Sequence, residues 1–296
     1  MSNSFTVTSS IRNYIVYFSD SFQQDLLAIL KPGDFVIADT QVLNYNKNLA
    51  DSLEGFENVI RIEALEKTKS YEGIIPFIEE LIANGFKRNN RLIAIGGGIT
   101  QDVTAFIASI LYRGVDWIFF PTTLLAQADS CIGSKTSINF RNYKNQIGNF
   151  YPPYSVHIDP AILGTLEERD IRSGVGEMAH YFYVSGPDNV EFFEKEYSEA
   201  IHHRSNLRKL IESSLAIKKS YIEIDEFDRN ERLVFNYGHT FGHAIESITN
   251  YSIPHGVAVS FGMDMANFVS MKKDYITFES FSKAQQVFKM ISKGYS

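Results

Sequence analysis

Residues 91–121 constrain the fold more than any other stretch. The apolar run RLIAI (91–95) leads into GGG (96–98) and then into DVTAFIASILY (102–112), whose apolar positions recur at helical spacing. A second apolar run, WIFFP (117–121), follows. Two buried strands joined through a helix lie parallel, because the crossover returns the chain to the same end of the sheet. The alternation begins earlier. FTV (5–7), residues 13–18, DFVIADT (34–40) and residues 57–63 read as strands. Residues 20–31 and 66–86, the latter closed by Gly85, read as helices. The pattern predicts a doubly wound parallel α/β sheet up to about residue 150.

From about residue 160 the pattern changes to helical stretches at 164–183, 188–220, 225–247 and 255–272. NFYPPYSVHIDP (149–160), with three prolines, is the natural boundary. The expected division is an α/β unit over 1–155 and a mainly helical unit over 156–296. No internal repeat or low-complexity segment interrupts it.

Charge and composition narrow the function. A net charge of -7 argues against nucleic acid as a partner, since phosphate backbones favour a basic face. It leaves room for a small anion in a local basic pocket. The first residues lack a basic segment followed by an apolar core, and no apolar run approaches the roughly 20 residues needed to span a bilayer. The expectation is a soluble, cytoplasmic protein without a membrane partner. Cys131 is the one cysteine, so no intramolecular disulfide is possible. The 14% aromatic content reads as packing.

Two stretches carry chemistry. Bare amides in Gly96, Gly97 and Gly98, at the end of a strand and before a helix, suit a dinucleotide pyrophosphate. The same glycines would also serve a tight turn with no ligand, and Asp102 would then cap the helix it begins. Asp39 closes another strand at its carboxyl end, where open α/β sheets bind ligands. Thr122 and Thr123 follow WIFFP, with hydroxyls placed either for a cofactor or for capping. The second stretch is NYGHTFGHAIE (236–246). His239 and His243 sit four apart and share a helix face. His255 follows in PHG, and GVGEMAH offers Glu177. A carboxylate with two or three imidazoles can hold a divalent metal and leave a position for substrate. Lys135, Lys144, Lys218, Arg113 and Arg232 lie near these motifs. Together they point to a phosphorylated polyol oxidised beside a metal, with a nicotinamide taking the hydride.

GGGITQDVTAF, YRGVDWIFFPTTLLAQADSCIGSKTSIN, KNQIGNFY, GVGEMAHY, NYGHTFGHAIE and PHGVAVSFGM, in this order from about residue 90 to 265, closely resemble the signatures of 3-dehydroquinate synthase and its relatives, the sugar phosphate cyclases. The resemblance implies a Rossmann-like NAD-binding domain followed by a helical metal-binding domain. It also implies a phosphate-eliminating lyase that closes a phosphorylated keto-sugar into a carbocycle. NAD would oxidise one hydroxyl, phosphate would leave by β-elimination, and the same NADH would reduce the ketone again before an intramolecular aldol closure.

The resemblance assigns Glu177, His239 and His255 to the metal, zinc or cobalt, and sets His243 beside the substrate phosphate. Asp129, Lys135, Asn145, Lys218, Arg232 and Asn236 match substrate-pocket positions. Arg113 matches an arginine that reaches towards a partner subunit's site, so a homodimer is implied. Asp39, Glu66, Lys69, Gly96, Gly97, Gly98, Asp102, Thr122, Thr123, Lys144, Thr165 and Leu166 match the NAD side. His180 stands where the family usually has lysine, one helical turn after Glu177. The resemblance also implies further helices, with another phosphate-side lysine, beyond the last residue of this sequence. Two alternatives stay open at this point. One is a metal-dependent polyol dehydrogenase of the glycerol-dehydrogenase type, which would release NADH. The other is a non-catalytic homologue that partners an intact cyclase.

Overall fold

The computed structural model describes residues 4–141, 143–203 and 207–295. The chain divides into two compact units, residues 1–165 and 166–296. The first is built on β1 (Ser4–Val7), β2 (Tyr14–Phe18), α1 (Phe22–Ile29), β3 (Phe35–Asp39), α2 (Thr40–Tyr45), α3 (Lys47–Leu53) and β4 (Val59–Ile62). It continues with α4 (Ile75–Ala83), β5 (Leu92–Gly96), α5 (Gly98–Ile110), β6 (Trp117–Pro121), β7 (Lys135–Phe140), β8 (Tyr143–Phe150) and β9 (Ser155–Ile158).

Seven strands form one sheet in the order β1-β2-β9-β6-β5-β3-β4, parallel throughout except for the β1–β2 hairpin. The expected parallel α/β sheet is therefore present. Every residue of β5 and β6 is buried, which is why both read as unbroken apolar runs. β2, nearer the edge, alternates between buried and exposed positions. The strand order reverses between β3 and β5: β4 lies outside β3, and the chain then returns on the other side. Asp39 ends β3 and Gly96 ends β5, so both stand at the switch point where sheets of this kind open a ligand crevice.

Several expectations change. The segment 149–160, expected as the boundary, lies within the first unit, because β9 falls inside it and inserts between β2 and β6. That keeps the chain in the sheet past Ser155, and the compact units part at 165/166 rather than 155/156. The helix expected over 66–86 begins only at Ile75. Residues 69–71 pair instead with Asn139, through Asn139 N to Lys69 O and Tyr71 N to Asn139 O. α5 starts at Gly98, four residues before the expected start, so Asp102 lies within the helix and does not cap it. β7 and β8 form a separate two-stranded ribbon.

His157, on β9, is 7% exposed. Its ring is stacked between Tyr17 and Phe120, with centroids 4.9 and 4.8 Å away. Nε2 lies 3.1 Å from Ser155 Oγ, and Nδ1 lies 3.5 Å from Asp25 Oδ2. The serine is buried in a central strand, so the trio holds the core and offers no nucleophile. Burial lowers the His157 pKa against the opposing pull of Asp25. The unfolded chain titrates near 6.5. As pH falls through that value the unfolded state takes up a proton that the fold resists, so stability is lost on the acid side. His157→Phe keeps the aromatic stack and should flatten this slope. Urea midpoints at pH 7.5 and 5.5 should differ less in the variant than in the parent.

The second unit is helical: α6 (Glu168–Val184), α7 (Pro187–His202), α8 (Leu207–Ile222), α9 (His239–Ile248), α10 (His255–Lys272) and α11 (Phe278–Ile291). The helical stretch expected over 188–220 holds two helices, α7 and α8. The stretch over 225–247 resolves into a short 3-10 helix, Glu231–Asn236, followed by α9. Among the described residues, no helix is long and apolar enough to cross a membrane.

Candidate active site

In the second unit, backbone contact places the metal-type side chains. A Cβ on Gly176 would lie 2.2 Å from the Gly256 carbonyl oxygen, and one on Gly256 would lie 1.8 Å from that of Ser173. α6 and α10 therefore touch backbone to backbone, and Gly256 N also donates to Ser173 Oγ at 3.1 Å. The chain neighbours of these glycines, Glu177 and His255, come side by side: His255 Nε2 is 3.3 Å from Glu177 Oε2. A Cβ on Gly262 of α10 would lie 2.0 Å from the Gly238 carbonyl oxygen, just before α9. His239, the first residue of α9, then points Nε2 at Glu177 Oε1, 3.6 Å away. Each of the three side chains is thus adjacent in sequence to a glycine that lets two backbones meet.

The remaining ring nitrogens are tied down. His255 Nδ1 lies 2.9 Å from Glu246 Oε2, and His239 Nδ1 lies 3.3 Å from the Tyr237 carbonyl. Both Nε2 atoms are left facing one buried carboxylate. This is how metal-binding imidazoles are usually oriented, through a carboxylate or carbonyl on the far nitrogen. Bonds of about 2.0–2.1 Å in a tetrahedron set ligand atoms roughly 3.3 Å apart, close to the 3.6 and 3.3 Å between each Nε2 and the carboxylate oxygen it faces.

The electrostatics agree. Burial works to raise the Glu177 pKa, but His255 and His239, with His180, outweigh it and hold the carboxyl well below its usual range. At His255 burial favours the neutral ring, yet Glu177 and Glu246 push it up to about 10. The cluster draws positive charge to the place where a cation would sit. His180 Nδ1 is 3.9 Å from Glu177 Oε1, on the same buried side of α6. His243 is exposed, its ring stacked on His255 with centroids 5.7 Å apart. Lys218 is buried, with Nζ 5.9 Å from the centre of the Tyr181 ring. Arg232, also buried, donates from Nη1 to Glu226 O at 2.9 Å. Asn236 is exposed and donates to Leu233 O. Arg232 and Asn236 lie on the 3-10 helix that leads into α9.

In the first unit a polar group surrounds the start of α5. Lys69 Nζ pairs with Asp102 Oδ2 at 2.5 Å. Burial raises the Asp102 pKa and Lys69 opposes it. Glu66 Oε1 accepts from Asn139 Nδ2 at 2.8 Å and lies 3.5 Å from Lys144 Nζ. Asn139 Oδ1 in turn accepts from the Asn145 backbone N–H at 2.9 Å. The ribbon β7–β8 thus carries Lys135, Lys144 and Asn145 in the same unit as the glycine turn. Asp39 caps α2 through Gln41 N, and burial raises its pKa. Thr123 Oγ1 caps the following turn at Ala126 N. Thr122 is 3% exposed and its Oγ1 makes no hydrogen bond among the described residues. Asp129, on that turn, is half-buried. Thr165 is exposed and donates to Ile162 O, and Leu166 is half-buried. Arg113 is exposed on a left-handed turn with φ 68.

Sequence reasoning missed Glu246 and Asn139. Glu246 stood in the NYGHTFGHAIE motif, nine residues before His255, but only the loop that returns the chain to α10 shows what it holds.

Family models described as 3-dehydroquinate synthase N-terminal and C-terminal match residues 59–173 and 174–294. A 3-dehydroquinate synthase of Dictyoglomus turgidum is 40% identical over 78% of this chain and 66% of its own length. One of a Thermoanaerobacter species is 34% identical over 97% of this chain and 83% of its own. A crystal structure of 2-deoxy-scyllo-inosose synthase, complexed with carbaglucose-6-phosphate, NAD+ and Co2+, superposes with a TM-score of 0.86 at 25% identity. That superposition covers 99% of this chain and 82% of the other.

Proposed function

Because the chain belongs to the 3-dehydroquinate synthase family, we propose that it is an NAD- and metal-dependent cyclase that expels phosphate from a phosphorylated keto-sugar and closes a carbocycle. The observation that carries this reading is the Glu177 carboxylate set between the Nε2 atoms of His239 and His255, each ring fixed through its other nitrogen. The N/O donor set suits zinc or cobalt.

When bound, the metal would polarise a substrate hydroxyl and the nicotinamide would take and return its hydride. The chain supplies the rest. Glu177, His239 and His255 would hold the ion, and Glu246 would keep the His255 ring turned towards it. Lys218 and Arg232, both buried, would bind the anionic end of the sugar, and His243 would stand by the phosphate. Asp129, Lys135, Asn145 and Asn236 would make further substrate contacts. His180, one turn from Glu177, faces the metal cluster. At the start of α5, Gly96, Gly97 and Gly98 would offer backbone N–H groups to the pyrophosphate. Asp39, Glu66, Lys69, Asp102, Thr122, Thr123, Lys144, Thr165 and Leu166 would complete the NAD side. Lys69 neutralises Asp102 so that a buried carboxylate does not repel the phosphates. We also propose a homodimer, in which exposed Arg113 serves the partner.

The test is phosphate release from metal-loaded protein with catalytic NAD. The panel is 3-deoxy-arabino-heptulosonate 7-phosphate, sedoheptulose 7-phosphate and glucose 6-phosphate. Phosphate without net NADH is expected. NADH accumulating without phosphate would make the protein a dehydrogenase instead. Glu246→Gln tests the orienting carboxylate. Metal affinity, read by chelator competition, should fall roughly 10- to 100-fold, the usual cost of losing such a partner.

A further inference from the structure

We propose that His180 is a fourth protein ligand of the metal, which makes the centre one carboxylate and three imidazoles. The inference rests on the metal site proposed above and adds a donor to it. Glu177, His180 and His239 each offer one ligand atom, and the three atoms lie within 4.8 Å of one another. His180 Nδ1 and His239 Nε2 both face the same oxygen, Glu177 Oε1, at 3.9 and 3.6 Å. Spacing of three along α6 holds His180 and Glu177 on one face, so their convergence is set by the helix and not by a loop.

The ring has little freedom to turn elsewhere. His180 is 1% exposed, with centroids 3.9 Å from Tyr181, 5.7 Å from Phe235 and 5.2 Å from His239. His243 is the competing third imidazole, since its ligand atom also falls within 4.8 Å of those of His239 and His255. It is exposed, however, whereas His180 is buried beside the carboxylate that joins the other donors. Four protein ligands would fill a tetrahedron, so an ion that also receives substrate must accept at least five.

X-ray absorption at the zinc edge counts imidazole ligands through their outer-shell scattering. The expected count is three in the metal-loaded parent, two in His180→Phe and three in His243→Ala. Metal affinity by chelator competition should fall at least about 10-fold in His180→Phe. Thermal unfolding of the metal-free variant shows whether the aromatic packing survived. A count of two in the parent overturns the proposal without any variant. So does loss of the third imidazole in His243→Ala, which would mark His180 as a packed core ring. A parent that takes up no metal fails at the earlier step and overturns the metal site itself.

Discussion

Glu177→Gln should abolish the centre. The substitution keeps the shape of the side chain and removes the charge that both Nε2 atoms face. Removing one partner from a buried charge cluster typically costs about 3–5 kcal/mol. Applied to the ion, that is a loss of roughly 10²–10⁴ in metal affinity at 1.4 kcal/mol per decade. Phosphate release at fixed metal should fall in step. NAD binding should be unchanged, because the residues proposed for it lie apart from Glu177 in the chain and are all retained. Chelator competition, phosphate assay and NAD titration on one preparation give the three readings. A variant that binds metal as tightly as the parent and turns over normally would sink the assignment of Glu177, and with it the reading of the cluster as a metal centre.

The parts of this protein that were legible in its sequence are those whose physics is local. β3, β5 and β6 announce themselves because burial on both faces demands unbroken apolar runs. The pairing of Glu177 with His180 follows from helical spacing. β9 was hidden because four residues after two prolines carry no periodicity, and only its partners β2 and β6 make it a strand. β7 and β8 were hidden because half-exposed, polar strands such as KTSINF resemble loop composition. The late start of α4 has the same origin. EKTKSYEG favours a helix locally, and the pairing of residues 69–71 with Asn139 overrides it. Glu246 could be seen but not understood, since its partner arrives from beyond a loop. The glycines beside Glu177, His239 and His255 were visible throughout. Their meaning, two helix backbones in contact, becomes apparent only once α6, α9 and α10 are packed.

On the cofactor side, Gly98→Ala separates a ligand site from a mere turn. The three glycines are not equivalent. A Cβ on Gly96 would strike Thr100 at 2.4 Å, and one on Gly97 would meet Thr123 at 2.8 Å, so substitutions there disturb the turn whether or not anything binds. A Cβ on Gly98 meets nothing within 4 Å, and its φ lies outside the left-handed region. Gly98 is also the first residue of α5, whose leading N–H groups lack helical partners. If the space above Gly98 were simply solvent, alanine would be tolerated and would stabilise the protein by roughly 0.4–1 kcal/mol, because it restricts the unfolded chain. If a pyrophosphate lies against those amides, the added methyl displaces it. Overpacking of this kind costs about 1–3 kcal/mol. The expected result is therefore opposite in the two measurements: a melting temperature equal to or above the parent's without NAD, and NAD affinity roughly 5- to 150-fold weaker. Metal content should not change, because the proposed metal ligands are untouched. Unchanged NAD affinity in a stabilised variant would mean that the glycines serve the turn between β5 and α5 and that the dinucleotide, if bound, is held elsewhere.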